Sequence, residues 1–225
     1  MIWNLGSINV DNVYTLPHLP GAGETLAATG FQQGLGGKGA NMSVAAARAA
    51  ARVVHIGAVG RDGVWARDRL LEYGVDTQHI HTVNMATGHA NISVDADGEN
   101  SIVLFPGAND QLTKQMIGAA LTEASSGSWV MMQNETSGQA YAAQTAKTLG
   151  LKVAYAAAPF EVDAVRAVLE HIDLLVLNAI EAEQLTDAVG CGLSDLPIAD
   201  IVVTLGADGC EWVSKQHDSD DKYDA

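Results

Sequence analysis

Four glycines fall within six residues in Gly34-Leu35-Gly36-Gly37-Lys38-Gly39, and Ala40-Asn41 leads from them into an alanine-rich stretch ending at Ala51. A run so poor in side chains lets a ligand approach the main chain. A helix starting there presents backbone N–H groups to a polar or anionic molecule. Lys38 adds a mobile positive charge, and Asn41 adds a donor and an acceptor. Hydroxyls or phosphate oxygens suit such a place. Two generic motifs fit it poorly. Gly34, Gly36 and Gly39 have the dinucleotide spacing, but residues 25–33 are too polar and too rich in Gly and Ala for the buried strand that should precede it. A Walker loop fails because Gly39 follows the lysine and Gln32 stands where its first glycine belongs. On residue types alone, a plain glycine turn capping a helix remains an alternative.

The elements that must position this segment follow from hydrophobic pattern. Short apolar runs at residues 2–8, 53–59, 128–132, 151–157, 174–177 and 201–205 read as strands. Between them, residues 64–73, 137–149, 162–171 and 180–188 have helical spacing, with Ser137 as an N-cap and Gly74 and Gly150 as stops. Strand alternating with helix implies an α/β fold, with a mostly parallel sheet flanked by helices. Ligand groups gather beyond the carboxyl ends of such strands. The polar residues there are Asn9, Asp11, Glu135, Asn178, Glu181, Thr204 and Gly206. Bland roles compete for each. Asn9 and Asp11 serve equally as turn formers, Glu135 as an ordinary strand end, and Asn178 with Glu181 as a helix cap and first-turn acid. Arg61-Asp62 reads as a solvated loop pair. Residues 13–33 and 88–105 break the alternation, and Asp95-Ala96-Asp97-Gly98 is a hairpin signal. These two segments are expected to form a small β-sheet lid on a domain spanning residues 1–212.

The 225 residues carry a formal net charge of −15. That disfavours nucleic acid and anionic membrane as partners. No apolar run is long enough to span a bilayer and no basic leader precedes the first run, so a cytoplasmic location is expected. Cys191 and Cys210 lack the spacing of a zinc site, and His79 and His81 have no acidic cluster beside them. Residues 213–225 read as an acidic, disordered tail.

Several segments, in order, resemble the ribokinase-like carbohydrate kinases. They are Gly6-Ser7-Ile8-Asn9-Val10-Asp11, Pro20-Gly21-Ala22-Gly23-Glu24-Thr25, Gly36-Gly37-Lys38-Gly39-Ala40-Asn41 and Gly107-Ala108-Asn109. Asn178-Ala179-Ile180-Glu181 and Thr204-Leu205-Gly206-Ala207-Asp208-Gly209 complete the set. The resemblance runs from about Gly6 to Trp212 and implies the family's three-layer fold with a small β-sheet lid. It implies ATP-dependent phosphorylation of a sugar hydroxyl, most plausibly of ribose. By the same resemblance, Asn9, Asp11, Gly37, Lys38, Asn41 and Glu135 bind the sugar. Asn178, Thr204, Gly206, Asp208 and Gly209 line the nucleotide site, and Glu181 faces Mg²⁺. The family also implies a monovalent cation whose site is not in this chain. A central sheet without the family's last strands and helices would expose an edge and an apolar face, which a homodimer through the lid is expected to help cover.

The family's second signature, Asp-Thr-x-Gly-Ala-Gly-Asp, is absent from these 225 residues. It carries the catalytic Asp, so no catalytic residue is assigned. The chain is expected to be a truncated or degenerate family member with no more than trace turnover alone. The alternatives are a non-catalytic sugar-binding pseudokinase, or a kinase for another sugar or a nucleoside. A Rossmann dehydrogenase is disfavoured, because no acidic residue ends a second strand after the glycine loop.

Overall fold

The apolar runs become strands. In the computed structural model, residues 1–215 and 219–223 are described. The chain begins with β1 (Ile2–Leu5), β2 (Asn9–Thr15), β3 (Gly30–Gly36) and α1 (Lys38–Arg48). It continues through β4 (Val53–Val59), α2 (Val64–Glu72), β5 (Asp76–Thr82), β6 (Gly88–Val94) and β7 (Asn100–Phe105). Then come α3 (Lys114–Leu121), β8 (Trp129–Gln133), α4 (Gln139–Thr148), β9 (Lys152–Ala156) and α5 (Val162–Val168). The last elements are β10 (Leu174–Asn178), α6 (Ala179–Val189), β11 (Asp200–Thr204), β12 (Cys210–Ser214) and β13 (Ser219–Tyr223). Two compact units result, one of residues 1–5 with 113–225, the other of residues 6–112.

In the first unit, β1, β8, β9, β10 and β11 pair in parallel, and β12 and β13 add antiparallel. Leu5, Met132, Tyr155, Leu175 and Leu177 are almost wholly buried along these strands. Helices cover them through Ile117 and Leu121 of α3, Ala142 and Ala146 of α4, Val165 of α5 and Leu185 of α6, all fully buried. Each large apolar side chain so removed from water contributes roughly 1.5–3 kcal/mol. The helix expected to start at Ser137 is instead capped at Gly138, with no side-chain cap. Part of the expected tail is ordered: Val213 and Ser214 complete β12, and Ser219–Tyr223 pairs with it. Gln216 to Asp218 and the last two residues of that tail lie outside the described residues.

In the second unit, β4 is buried along its whole length and pairs in parallel with β5. Helices α1 and α2 pack against β4. The irregular segments form a separate four-stranded sheet, ordered β3-β2-β6-β7. It is larger than the sequence implies. β2 starts at Asn9 and β3 runs to Gly36, so part of the glycine loop is strand. The polar, Gly-rich residues of β3 tolerate this because they form an edge paired only with β2, with Phe31 to Gln33 facing solvent. The 95–98 turn closes the β6–β7 hairpin, the Asp95 carboxylate accepting from the N–H groups of Asp97 and Glu99 at 3.0 Å each. Asp62 is not a free loop charge. It accepts from the Thr87 N–H at 3.1 and 3.2 Å and from the Thr87 hydroxyl at 3.0 Å, locking the residue that precedes β6.

Candidate functional site

In the second unit the site starts at a crossing of bare main chain. Gly39 lies against the backbone of Gly6 and Ser7, and a Cβ there would overlap Gly6 Cα and Ser7 N. The Gly39 N–H donates to Ser7 Oγ at 3.2 Å and the Ala40 N–H to Ser7 O at 2.8 Å. Gly37, with φ +92°, turns the chain out of β3 and into α1; a Cβ there would sit 2.9 Å from Asn9 N and Ser7 O. These bonds correct one expectation. The N–H groups of Gly39 and Ala40 are engaged by Ser7 and that of Asn41 by Gly37 O at 3.0 Å, so the start of α1 is not an open anion hole. The glycines serve close packing.

His55, in the apolar strand β4, anchors the crossing. Its Nε2 lies 3.0 Å from Gly6 O and its Nδ1 2.8 Å from Ser43 Oγ. A carbonyl only accepts, so Nε2 carries the proton and Nδ1 accepts from the Ser43 hydroxyl. Complete burial pushes this imidazole down to about 4. Asn109 holds the other side, accepting from Ile8 N–H at 2.9 Å and donating to Asn9 Oδ1 at 2.8 Å. Asn9 is therefore buried, with its Oδ1 held by Asn109. Asp11 comes from the same strand, opposite Gly34, with its carboxylate seated over the bare Cα of Gly36; any Cβ there would overlap it. Lys38 and Asn41 stand exposed on the first turn of α1. The fold thus gathers Asp11, Gly37, Lys38 and Asn41 around the end of β3. Ser7, Gly36, His55 and Asn109 are the supports that residue types alone did not assign. A histidine interrupting the apolar run 53–59 signalled His55, whereas Ser7, Gly36 and Asn109 lay within the segments that carry the family resemblance.

The first unit carries the remaining candidates. Glu135 is half-buried just beyond β8. Asn178 and Glu181 form a reciprocal capping box: Asn178 Oδ1 accepts from the Glu181 N–H and Glu181 Oε2 from the Asn178 N–H, both at 2.8 Å. Thr204 lies opposite Asn178 in the β10–β11 register, its hydroxyl donating to Leu177 O at 3.3 Å. The turn after it closes through the Leu205 N–H and Gly209 O at 2.8 Å. Asn178, Thr204, Gly206 and Asp208 share one open depression of about 400 Å³, with the exposed Ile180 at its rim. Gly209 closes the turn without lining it. A helix N-terminus beside a concave turn suits phosphate groups and an apolar contact suits a base. Among the described residues no cluster of three acidic, His or Cys ligands exists. Glu181, with one carboxylate oxygen already engaged, suits Mg²⁺ that keeps waters and phosphate oxygens as most of its ligands, and not a protein-built cage.

Comparison with known proteins shows the family. Residues 1–222 match the model of the pfkB family carbohydrate kinases. The chain is 39% identical to the ribokinase of Haemophilus influenzae over 220 residues, covering 91% of this chain and 72% of that protein. The crystal structure of Cryptococcus neoformans ribokinase in complex with ADP superposes with a TM-score of 0.84 at 29% identity, covering all of this chain and 78% of that one. Arabidopsis thaliana ribokinase complexed with ribose and ATP gives 0.82 at 26% identity, covering 99% and 77%. The chain belongs to the pfkB family of carbohydrate kinases. By that membership it is a sugar kinase, a phosphotransferase of the ribokinase-like group.

The buried imidazole generates a pH prediction. An unfolded His55 takes a proton near pH 6.5, whereas the folded one refuses it until about pH 4. Stability from this group is complete above 6.5 and falls as pH drops through that window, by on the order of 3 kcal/mol in all. His81, lowered by desolvation and by His79, acts in the same direction. Urea unfolding across this range is expected to show His55→Gln less stable at neutral pH but with a shallower acid decline than the parent chain.

Proposed function

We propose that the reaction served by this fold is the transfer of the ATP γ-phosphoryl group to a hydroxyl of ribose or a closely related sugar. The observation that carries the reading is the Asp11 carboxylate seated on the bare Cα of Gly36, at the turn that leads into the helix start carrying Lys38 and Asn41. A carboxylate accepts from two neighbouring hydroxyls at once, and an ammonium and an amide complete a set suited to a polyol. The identity to a ribokinase supports ribose over other sugars. Glu135 is assigned to another sugar hydroxyl. The depression at Asn178, Thr204, Gly206 and Asp208 is assigned to ATP, with Glu181 toward its Mg²⁺. The four-stranded sheet is read as the lid of a domain spanning residues 1–212, and the cytoplasm, where ATP and free sugar meet, as the site of action.

A second reading is favoured by one observation: the 225 residues contain no Gly-Ala-Gly-Asp block. In phosphoryl transfer the protein positions reactants and stabilises charge. A missing positioned base costs on the order of 10²–10⁴-fold. These residues alone therefore bind sugar with no more than trace turnover. In the lid, Ile102 and Leu104 are exposed on one face of β7 and Val103 and Phe105 on the other; the Ile102–Leu104 face is suited to a second copy of the chain.

Three measurements check these proposals. Ribose is expected to raise the melting temperature of the chain, and Asp11→Ala to abolish that protection; no protection by any sugar or nucleoside would remove the assignment. A coupled ADP-release assay on the same polypeptide is expected to stay near background, and ordinary kinase rates would refute the missing-base argument. Sedimentation velocity is expected to show dimers that Ile102→Asp with Leu104→Asp converts to monomers, whereas a parent chain that is monomeric throughout contradicts the lid interface.

A further inference from the structure

We propose that the groove between α1, α2 and the end of β3 is a second ligand site, which takes a phosphorylated, hydroxyl-bearing molecule of sugar-phosphate size. The choice of ligand rests on the sugar-kinase reading; the site itself does not. The groove encloses about 530 Å³, within the usual range of small-molecule sites. Arg48, from the last turn of α1, and Arg69, from the last turn of α2, both line it. In a chain of net charge −15, two guanidinium groups on one concave surface reverse the local sign and concentrate anions there. The planar fork of a guanidinium matches phosphate oxygens in pairs.

Neither arginine is held by a buried carboxylate. Arg48 lies over the Tyr73 ring, 5.1 Å from its centroid. Arg69 meets Glu72 at 2.8 Å, but both side chains are more than half exposed, at 52% and 63%. An exposed pair of this kind is weak and readily exchanged for a phosphate. Trp65 and Tyr73 supply ring faces against which the C–H face of a sugar packs. Asn41 stands two helical turns before Arg48 on the same side of α1 and lines the far end of the groove, where the groove borders the sugar cradle. Phosphate at one end, ring faces along the wall and an amide at the other end describe a phosphorylated polyol better than a bare anion.

Trp65 makes the site readable. Ribose 5-phosphate is titrated into the 225-residue chain while tryptophan emission is followed, and Trp65→Phe isolates the contribution of that ring. A saturable change carried by Trp65 is expected. It should weaken about tenfold or more in Arg48→Gln/Arg69→Gln and persist in Asp11→Ala. Circular dichroism of each variant establishes that it has folded. Inorganic phosphate alone is expected to give a weaker response, and ADP binding as tightly as ribose 5-phosphate would overturn the sugar-phosphate assignment. No saturable response at millimolar ligand, or a response lost in Asp11→Ala and kept in the arginine variant, would overturn the site. Failure of the sugar-kinase reading looks different: free ribose gives no thermal protection while the groove response stands.

Discussion

The residue 6–112 unit depends on one close approach, the first turn of α1 lying directly on the main chain of Gly6 and Ser7. No side chain separates them, so Ser7 satisfies two helix N–H groups that would otherwise need water or a ligand. The approach fixes where β2 begins and where β3 must end. Asp11 can then reach over Gly36 only because that residue has no side chain. His55 holds the Gly6 carbonyl from below and Ser43 of α1 from the side, tying strand and helix to one ring. The cradle is therefore preorganised by packing.

The residue 113–225 unit solves a related problem by a local device. The capping box satisfies the start of α6 with its own Asn178 and Glu181, and the same two residues border the depression next to Thr204. Structural and functional readings of these residues are compatible here. A cap fixes the side chains at a helix start, where the helix dipole favours an anion. The capping bonds engage one carboxylate oxygen of Glu181 and leave the other beyond them.

The sequence made the alternation of strands and helices legible wherever burial was complete. β4 is apolar on both faces, and α2 shows helical spacing with Gly74 after it. Asp97-Gly98 announced the β6–β7 hairpin. Strands exposed to solvent were not legible. β5, Asp-Thr-Gln-His-Ile-His-Thr, has one buried residue, and five of the seven residues of β3 are glycine or glutamine. The candidate residues were legible because polar groups at strand ends are few. Their supports were not. Asn109 acts on Ile8 and Asn9 across about a hundred residues of chain, and Ser7 acts on a helix beginning at Lys38. Such roles arise from long-range placement, which no local spacing encodes. The expectation of a free helix terminus failed for the same reason, since the group that caps it is remote in sequence.

The central claim is that a polyol is held by the side chains surrounding the Gly36–Gly37 turn. Mapping backbone amide shifts of the ¹⁵N-labelled chain on addition of ribose tests it most directly. The account predicts that Asp11, Gly36, Gly37, Lys38 and Asn41 shift together along one saturation curve, while Thr204 to Gly209 stay still until nucleotide is added. Shifts scattered over the surface, or a saturable response that leaves the turn and Asp11 unmoved, would contradict it.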